Sequence, residues 1–425
     1  MQIPELYQLY LSHPSIQTDS RKLKAGDLFF ALKGPNFNGN LFAENALQGG
    51  AAYAIVDEYT GPDNDRIIPV NDVLQTLQEL SKYHRSQFTI PFIAITGSNG
   101  KTTTKELLHE VLSSTFRTYT TKGNLNNHIG IPLTILKIKK DAGMAIIEMG
   151  ANHIGEIKSY CAMALPTHGL ITNCGKAHLE GFGGEEGVRR GKGELFDHLK
   201  ATGGTAFIMK DYHYLEAMSS GIPHIISYGT HDAVITGELR NSTYFLQVAI
   251  TGGASIDTIN TQLVGEYNLS NVLAAVAVGK YFNVPDDKIK MALENYIPSN
   301  NRSQLIKRGA ATIILDAYNA NPSSMKAAIE NFAKMEGDKK ILMLGGMMEL
   351  GESSLAEHQS IISLVSQYDW ESVVLVGGDY HQLDHPYLNF ENAAEAKAWF
   401  SRQDLEGRSI LIKGSRSMQM EKVLE

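Results

Sequence analysis

The stretch FIAITGSNGKTTTKELLHEVL, residues 92–112, is the most informative part of the chain. An apolar run that is typical of a strand leads into a glycine-rich turn, and a helical pattern follows at once. Glycines permit a tight turn whose N–H groups face an anion, and the helix start adds partial positive charge. The order of elements predicts a phosphate-binding loop formed by Gly97, Ser98, Asn99, Gly100, Lys101, Thr102 and Thr103.

Two residues of this loop carry the chemistry of nucleotide binding. We expect Lys101 to reach the terminal phosphates of ATP and the hydroxyl of Thr102 to bind Mg²⁺. The spacing GxxGKT is shorter than the common GxxxxGK[ST], and an ordinary glycine turn between strand and helix is the competing interpretation. The flanking strand and helix favour the nucleotide site.

The length and the pattern of apolar runs predict an α/β protein of three domains. A chain of 425 residues is too long for one compact core. Strands and helices alternate after residue 92, which predicts a central parallel-sheet ATPase domain, with antiparallel hairpins appended at 233–264. Polar segments near 86–91 and at 297–305 predict the limits: 1–86 for a small N-terminal α/β domain, 87–298 for the central domain, and 299–425 for a Rossmann-like C-terminal α/β domain.

Composition excludes several other classes of protein. A formal net charge of -8, with 43% hydrophobic and 20% charged residues, fits a soluble globular protein without a nucleic-acid footprint. Neither a targeting segment nor a membrane span is evident, so we expect a cytoplasmic location without membrane insertion. Cys161 and Cys174 lack metal-site spacing and are expected to be buried packing residues. Nothing demands more than a monomer.

Three titratable residues of the central domain are candidates for the reaction. Glu148 ends a strand, where open α/β sheets place their ligands, although a surface charge is an equal alternative. His178 follows another strand, and Lys192 lies in the next helix, so both could face one crevice. Taken alone, each is more typical of an ordinary packed or solvated side chain.

Polar residues farther along the chain suggest nucleotide contacts. Asn268 and Asn271 share one face at the start of an apolar helix, where they could bind adenine or cap the helix. Asp316 ends a strand, and Asn319 and Asn321 precede a helix that starts with proline; an Asx turn is the alternative to a ribose contact. In KGSRSM at 413–418, a lysine and an arginine could face a phosphate or cap a helix.

Taken together, eight segments resemble the Mur ligase family of peptidoglycan synthesis. They cover all three domains in the family's order and read TDSRKLKAGDLFFALKG, TGSNGKTTTKE, GNLNNHIGIPLT, EMGANHIGEI, AHLEGFGGEEGVRRGKGE, DAYNANPSSM, GGMMELGESS and KGSRSMQME. The resemblance implies an ATP-dependent ligase that activates a carboxylate as an acyl phosphate and joins it to an amine.

The resemblance also implies a set of cofactors. ATP and two Mg²⁺ ions are expected in the central domain, one ion near Thr102 and Glu148 and one near Glu148, His178 and Lys192. In this family the lysine at the Lys192 position is carbamylated by CO₂. Because that reaction requires a neutral amine, Lys192 should be desolvated enough to lower its pKa.

Further roles follow from the same resemblance. The implied catalytic residues are Lys101, Glu148, His178, Lys192 and Asn127; the implied nucleotide contacts outside the loop are Asn268, Asn271, Arg302 and Asp316; and the implied substrate contacts are Ser20, Arg21, Asn126, Asn319 and Asn321. The implied substrates are UDP-N-acetylmuramoyl-tripeptide (UDP-MurNAc-tripeptide) at the first domain and D-alanyl-D-alanine at the third. The chain departs from the family's pattern at Asn38, Asn40, Tyr267 and Gly346, which affects the first-domain loop, the adenine site and one third-domain contact.

Two alternatives remain open from the sequence. One is another amino-acid ligase of the Mur or folylpolyglutamate type, with a different carboxylate and amine. The other is a nucleotide-binding regulator that keeps the fold without ligation. The presence of Lys101, Glu148, His178 and Lys192 argues against the regulator.

Overall fold

The computed structural model describes residues 1–240, 244–299, 301–337 and 339–425. In the described residues three larger β-sheets with packed helices follow one another, beside a two-stranded hairpin, and the predicted α/β class is confirmed. Residues 241–243 of the predicted hairpin region and residue 300 of the predicted linker lie outside the described residues. The domain limits at 86/87 and 298/299 stay a prediction.

The first unit is a small parallel sheet with three helices. Its strands are β1 (Ile16–Gln17), β2 (Leu28–Phe30), β3 (Lys33–Gly34), β4 (Phe37–Asn38), β5 (Tyr53–Val56) and β6 (Ile67–Pro69). Its helices are α1 (Ile3–Ser12), α2 (Ala43–Gln48) and α3 (Val73–Arg85). The sheet has the order β1-β2-β5-β6, and β3 and β4 form a separate antiparallel hairpin.

Helix α3 joins the first unit to the second. It begins after Asp72, whose side chain caps the helix by accepting from Gln75 N. Its last residue, Arg85, is buried; its guanidinium donates to the backbone oxygens of Ala164 and Leu165 and lies 3.7 Å from the centre of the Phe92 ring. These contacts fix the helix against the start of the central sheet.

The second unit is built on a larger, mostly parallel sheet. Its strands are β7 (Phe92–Thr96), β8 (Thr118–Thr120), β9 (Met144–Glu148), β10 (His168–Ile171), β11 (Thr205–Met209), β12 (His224–Gly229), β13 (Ile235–Leu239), β14 (Phe245–Gly252) and β15 (Thr258–Val264). Within the described residues the order is β15-β14-β13-β12-β11-β10-β7-β9-β8. The antiparallel addition predicted for 233–264 consists of β13, β14 and β15.

Helices cover the sheet and explain its apolar strands. They are α4 (Lys101–Ser113), α5 (Gly130–Ile135), α6 (Glu156–Ala164), α7 (Leu179–Phe182), α8 (Glu185–Thr202), α9 (His213–Met218), α10 (Leu269–Tyr281) and α11 (Asp286–Asn295). Every residue of β7, β9 and β11 is buried. Cys161 and Cys174 are free and buried, as predicted.

The third unit is again an α/β sheet. Its strands are β16 (Gln304–Arg308), β17 (Ala311–Asp316), β18 (Lys340–Gly345), β19 (Ser372–Val376), β20 (Leu388–Phe390) and β21 (Ser409–Lys413). Its helices are α12 (Pro322–Lys334), α13 (Ser354–Val365) and α14 (Ala393–Phe400). The order is β16-β17-β21-β18-β19-β20, with only β16 antiparallel among these pairings. Among the helices of the described residues, none is long and apolar enough to cross a membrane.

Candidate active site

The phosphate loop lies between β7 and α4, where the sequence placed it. Gly97 and Gly100 have φ angles of +142° and +78°, which residues with a β-carbon rarely adopt. A β-carbon on Gly97 would lie 2.0 Å from Thr172 Oγ1, and one on Gly100 would lie 2.8 Å from Asn271 Oδ1. Both glycines are therefore required by conformation and by close packing.

Lys101 donates to the backbone of its own loop. Its Nζ atom lies 2.6 Å from Gly97 O and 3.1 Å from Ser98 O. Desolvation lowers the pKa of Lys101 to about 8; the charge of Glu148 opposes this shift and that of Arg302 adds to it. The ammonium group is held at the loop by carbonyl oxygens, which the oxygens of a phosphate could replace.

Glu148 forms the acidic centre of the site at the end of β9. Its side chain is 2% exposed. One carboxylate oxygen, Oε2, accepts from Thr102 Oγ1 at 3.0 Å and lies 3.8 Å from Lys105 Nζ. The other, Oε1, accepts from Asn126 Nδ2 at 2.8 Å. The pairing of a carboxylate with the hydroxyl of Thr102 is suited to binding a hard cation such as Mg²⁺.

His178 stands immediately before α7 in a left-handed backbone conformation, with φ of +52°. Its Nδ1 atom lies 2.5 Å from Oε2 of Glu349, a residue of the third unit. The two atoms are close but poorly aligned for a well-formed hydrogen bond. Interaction with His178 is the main cause that lowers the pKa of Glu349.

Lys192 is buried inside α8. Its Nζ atom donates to Ala151 O at 2.9 Å and lies 4.8 Å from the centre of the Phe182 ring. Burial, followed by repulsion from the charge of Lys101, lowers the pKa of Lys192 to about 7, although nearby acidic groups oppose the shift. A large share of this side chain is therefore a neutral amine near neutral pH.

Three asparagines around the loop already have protein partners. Asn127 Oδ1 accepts from the backbone N–H groups of Ile129 and Gly130, which orders the turn before α5. Asn268 Nδ2 donates to the backbone of β15, and its Oδ1 accepts from Asn271 Nδ2 at 2.8 Å. Asn268 does not cap α10 with its side chain. The two amides thus hold each other in place along the cavity wall.

The third unit contributes an aromatic and charged wall. Asp316, at the end of β17, accepts from Ser303 N at 3.1 Å and from Lys413 Nζ at 2.6 Å. The Arg302 guanidinium carbon lies 3.6 Å from the centre of the Tyr318 ring, and its buried Nε atom has no hydrogen-bond partner among the described residues. The Nε–H group of Arg302 is therefore still able to donate to a ligand in the cavity.

A direct contact joins the third unit to the phosphate loop. Asn321 caps α12 by accepting from Ser324 N at 2.9 Å, and its Nδ2 atom donates to Asn99 Oδ1 at 2.7 Å. Lys176 N also donates to Ser323 Oγ at 2.9 Å. The start of α12 is therefore packed against the loop that would hold the phosphates.

These elements enclose a cavity of about 770 Å³ between the second and third units. Most of the predicted site residues line it: Ser98, Asn99, Gly100, Lys101, Thr102, Thr103, Asn126, Asn127, Glu148, His178, Asn268, Asn271, Arg302, Asp316, Asn319 and Asn321. Lys192 lies behind the wall, bonded to the lining residue Ala151. Ser20 and Arg21 are not brought to the cavity; the Arg21 side chain is 86% exposed and pairs with Asp19.

Comparison with known proteins identifies the family. Three family models match in succession: "Mur ligase family, catalytic domain" over residues 14–85, "Mur ligase middle domain" over 95–279, and "Mur ligase, glutamate ligase domain" over 301–416. A Bacillus subtilis protein named UDP-N-acetylmuramoyl-tripeptide--D-alanyl-D-alanine ligase is 34% identical, over 96% of this chain and 92% of its own. This chain belongs to the Mur ligase family.

Solved structures of Mur ligases have the same architecture. A crystal structure of MurF from Acinetobacter baumannii is similar to this chain with a TM-score of 0.88 and 30% identity, over 98% of this chain and 97% of that one. MurF from Thermotoga maritima in complex with ADP gives a TM-score of 0.87 and 27% identity, over 97% of both chains. The predicted family and the predicted three-domain α/β architecture are confirmed.

Several residues of this Mur ligase site were not predicted. Tyr212 and Tyr214 line the cavity with their rings stacked 5.7 Å apart, and no motif in the sequence marks them. Tyr318 and Glu349 lie inside two of the segments that carried the family resemblance, but the sequence assigned no role to either. The family segment GGMMELGESS marks the position of Glu349, but the sequence does not show its contact with His178, because the two residues are far apart along the chain.

The departures from the family pattern have definite surroundings in this Mur ligase. Tyr267 lines the cavity and shares a hydrogen bond of 2.8 Å with Ser303 Oγ. Gly346 packs against Gly378, whose Cα would lie 2.6 Å from a β-carbon at 346. Asn38 and Asn40 bond to each other and to acidic side chains of the first unit.

Proposed function

We propose that this chain is an ATP-dependent ligase that joins D-alanyl-D-alanine to UDP-MurNAc-tripeptide through an acyl phosphate, giving a UDP-MurNAc-pentapeptide. The observation that carries the proposal is the hydrogen bond between Asn99 and Asn321, which joins the phosphate loop to the third unit across one cavity. A second substrate held by the third unit would lie beside the terminal phosphate of ATP. The name of the Bacillus subtilis relative supplies the substrates.

The residues of the cavity suit the first step. The terminal carboxylate of the tripeptide attacks the γ-phosphorus of ATP, and ADP leaves. Negative charge on the transferring group is stabilised by Lys101, after its ammonium group exchanges the carbonyls of Gly97 and Ser98 for phosphate oxygens, and by the start of α4. The carboxylate becomes an electrophile by this transfer.

The second step forms the amide. The free amine of the dipeptide attacks the acyl carbon, loses a proton, and the tetrahedral intermediate expels phosphate. Water would hydrolyse the acyl phosphate, so the cavity must be closed while it exists. The packing of α12 against the phosphate loop supports such closure, because it brings Asn321 and Ser323 onto the central domain.

The acidic centre fits one Mg²⁺ ion bound together with nucleotide. Glu148 and Thr102 would hold the ion, which would neutralise phosphate charge when bound. Among the described residues, no group of three or more His, Cys, Asp or Glu side chains could hold a metal by itself. A second ion near Glu148 and His178 therefore needs another anionic ligand.

Carbamylated Lys192 is the proposed source of that ligand. Lys192 is 1% exposed, and because its Nζ atom donates to Ala151 O, the nitrogen lone pair of the neutral amine is left to react with CO₂. Carbamate formation replaces one N–H proton by a carboxylate and turns a buried cation into an oxygen donor. The uridine contacts of Ser20 and Arg21, the nucleotide contacts of Asn268 and Asn271, and the predicted cytoplasmic location remain parts of the proposal.

Phosphate release with mass analysis of the product tests the function. The protein is incubated with ATP, Mg²⁺ and UDP-MurNAc-tripeptide, with and without D-alanyl-D-alanine. We expect release that depends on the dipeptide and a product whose mass equals that of the pentapeptide. To test the rival ligases, single amino acids replace the dipeptide and folate replaces UDP-MurNAc-tripeptide. If no pair of substrates gives phosphate release, the regulator is favoured.

A further inference from the structure

One loop of the third domain reaches across to His178. This loop, residues 347–353, follows β18 and contains Glu349, whose Oε2 atom lies 2.5 Å from His178 Nδ1. The backbone of the same residue takes part as well, because Glu180 N donates to Glu349 O at 3.4 Å. The loop therefore contacts the start of α7 twice, through the side chain of Glu349 and through its backbone.

Both partners of this contact have an unfavourable backbone conformation. The φ angles of Glu349 and His178 are +62° and +52°, in the left-handed region that favours glycine. Residues with a β-carbon persist there only where the surrounding structure determines them, and such residues concentrate at functional sites. Because two contacting residues from different domains both have this backbone conformation, we infer that their contact is functionally important.

The chemistry of the contact orients the imidazole. A carboxylate only accepts protons or hydrogen bonds, so a neutral histidine beside it carries its proton on Nδ1. The Nε2 lone pair of His178 is then free on the opposite edge of the ring. Without the carboxylate, the ring could flip or exchange its tautomer. His178 lines the cavity, so its orientation bears directly on the reacting groups.

Closure of the third domain does not depend on Glu349 alone. Lys176 Nζ pairs with the Glu357 carboxylate at 2.6 Å, and Asn321 Nδ2 donates to Asn99 Oδ1 at 2.7 Å. These cross-domain contacts remain when Glu349 is changed. A defect caused by loss of its carboxylate can thus be separated from an open domain.

We propose that Glu349, in the third domain, is a positioning residue for the ligation reaction. Its carboxylate orients the His178 imidazole, so that this orientation depends on closure of the third domain. The inference rests on the proposed role of His178 in ligation. It adds to that role a requirement for a residue of the third domain.

The test compares Glu349→Gln with Glu352→Gln, which makes the same charge change at an exposed position of the same loop. We expect Glu349→Gln to lower kcat by about 10- to 100-fold, as for other residues that orient a site histidine, with KM for both substrates within about threefold. Glu352→Gln should match the wild type. A change in kcat alone would not arise from an open or unstable third domain, which would raise KM.

The imidazole is observed directly by ¹⁵N NMR of the ligand-free protein with labelled histidine, where the His178 signals are assigned by their loss in His178→Gln. We expect the Nδ1–H tautomer in the wild type and in Glu352→Gln, and a mixture of tautomers in Glu349→Gln. This readout needs no activity. A wild type that does not ligate the dipeptide would overturn the proposed function, whereas an unchanged His178 spectrum in Glu349→Gln would overturn the role of Glu349.

A second variant guards against loss of folding. Glu349→Gly removes the carboxylate and relieves the left-handed backbone, so its melting temperature should equal or exceed that of the wild type. We expect its kcat to fall as in Glu349→Gln. Wild-type kcat in a folded Glu349→Gly protein would show that the loop needs no carboxylate, and the inference would then be wrong.

Discussion

Replacing Lys192 by methionine should abolish the uptake of CO₂ while preserving the fold. The pKa of Lys192 is lowered from 10.5 to about 7. At neutral pH about half of these side chains therefore carry the reactive neutral amine, against roughly 3 in 10,000 for an unperturbed lysine, an enrichment of about 1,600-fold. Methionine has a similar length and suits the apolar space beside Phe182.

The assay is ¹³C NMR of the protein equilibrated with ¹³CO₂ and bicarbonate. Only the neutral amine reacts, and the reaction releases a proton; at a fixed total of ¹³CO₂ and bicarbonate, the carbamate signal should therefore fall steeply below about pH 7 and level off above it. Lys105→Met is the matched control: Lys105 is also buried, but its Nζ atom lies 3.8 Å from carboxylate oxygens of Glu106 and Glu148. That variant should keep the signal.

Two results would refute this reasoning. A carbamate signal that persists in Lys192→Met would place the modification on another amine. A wild type that gives no signal above about pH 7, yet ligates at full rate in CO₂-free buffer, would remove the carbamate from the proposed site. Ligation by Lys192→Met should be at least about 10- to 100-fold slower than by the wild type if the carbamate is a metal ligand.

Three further outcomes are expected. Thr102→Val keeps the shape of the side chain but loses the hydroxyl beside Glu148, so half-maximal ligation should need about tenfold more Mg²⁺ in a metal titration. Gly97→Ala should lower the free energy of unfolding by about 1–3 kcal/mol in urea and weaken ATP binding by calorimetry, because its β-carbon would meet Thr172 at a positive φ. Lys192→Met should be more stable than the wild type at neutral pH, and the difference in unfolding free energy should narrow as pH rises from about 7 to 10.5. In that range the wild-type lysine is protonated in the unfolded state but neutral in the folded state, so rising pH stabilises the wild type alone. Urea unfolding at two pH values measures this difference.

The phosphate loop could be predicted because its determinants are local. Residues 92–96 form β7 as expected, and α4 begins at Lys101, since the glycines and the flanking patterns lie within a few residues of each other. Strands β8, β11 and β12 were not predicted. The first has only three residues, and the last is half-exposed without clear alternation, so neither produces a strong periodic signal.

The roles of the candidate asparagines show where sequence reasoning ends. The sequence left Asn268 open between binding adenine and capping α10; its side chain does not cap the helix but bonds to Asn271 and to the backbone of β15, and the adenine contact stays a prediction. Asp316 was open between a ribose contact and an Asx turn; in the structure it pairs with Lys413, which lies on a neighbouring strand, and the ribose contact stays a prediction. The partners of Asn268 lie within four residues of it, but the pattern does not show which of several local bonds the amide makes. The partner of Asp316 is 97 residues away and is set by strand pairing, which a local pattern does not contain.

The charges around the cavity suggest an order of events in the proposed reaction. Lys101 and Lys192 repel each other, and this repulsion helps to lower the pKa of Lys192. A triphosphate bound by Lys101 would add negative charge nearby, which stabilises the ammonium form of Lys192 and disfavours its reaction with CO₂. Carbamylation of the free enzyme, when Lys101 is balanced only by loop carbonyls and Glu148, avoids that cost. Electrostatics therefore favours modification of Lys192 before the nucleotide binds.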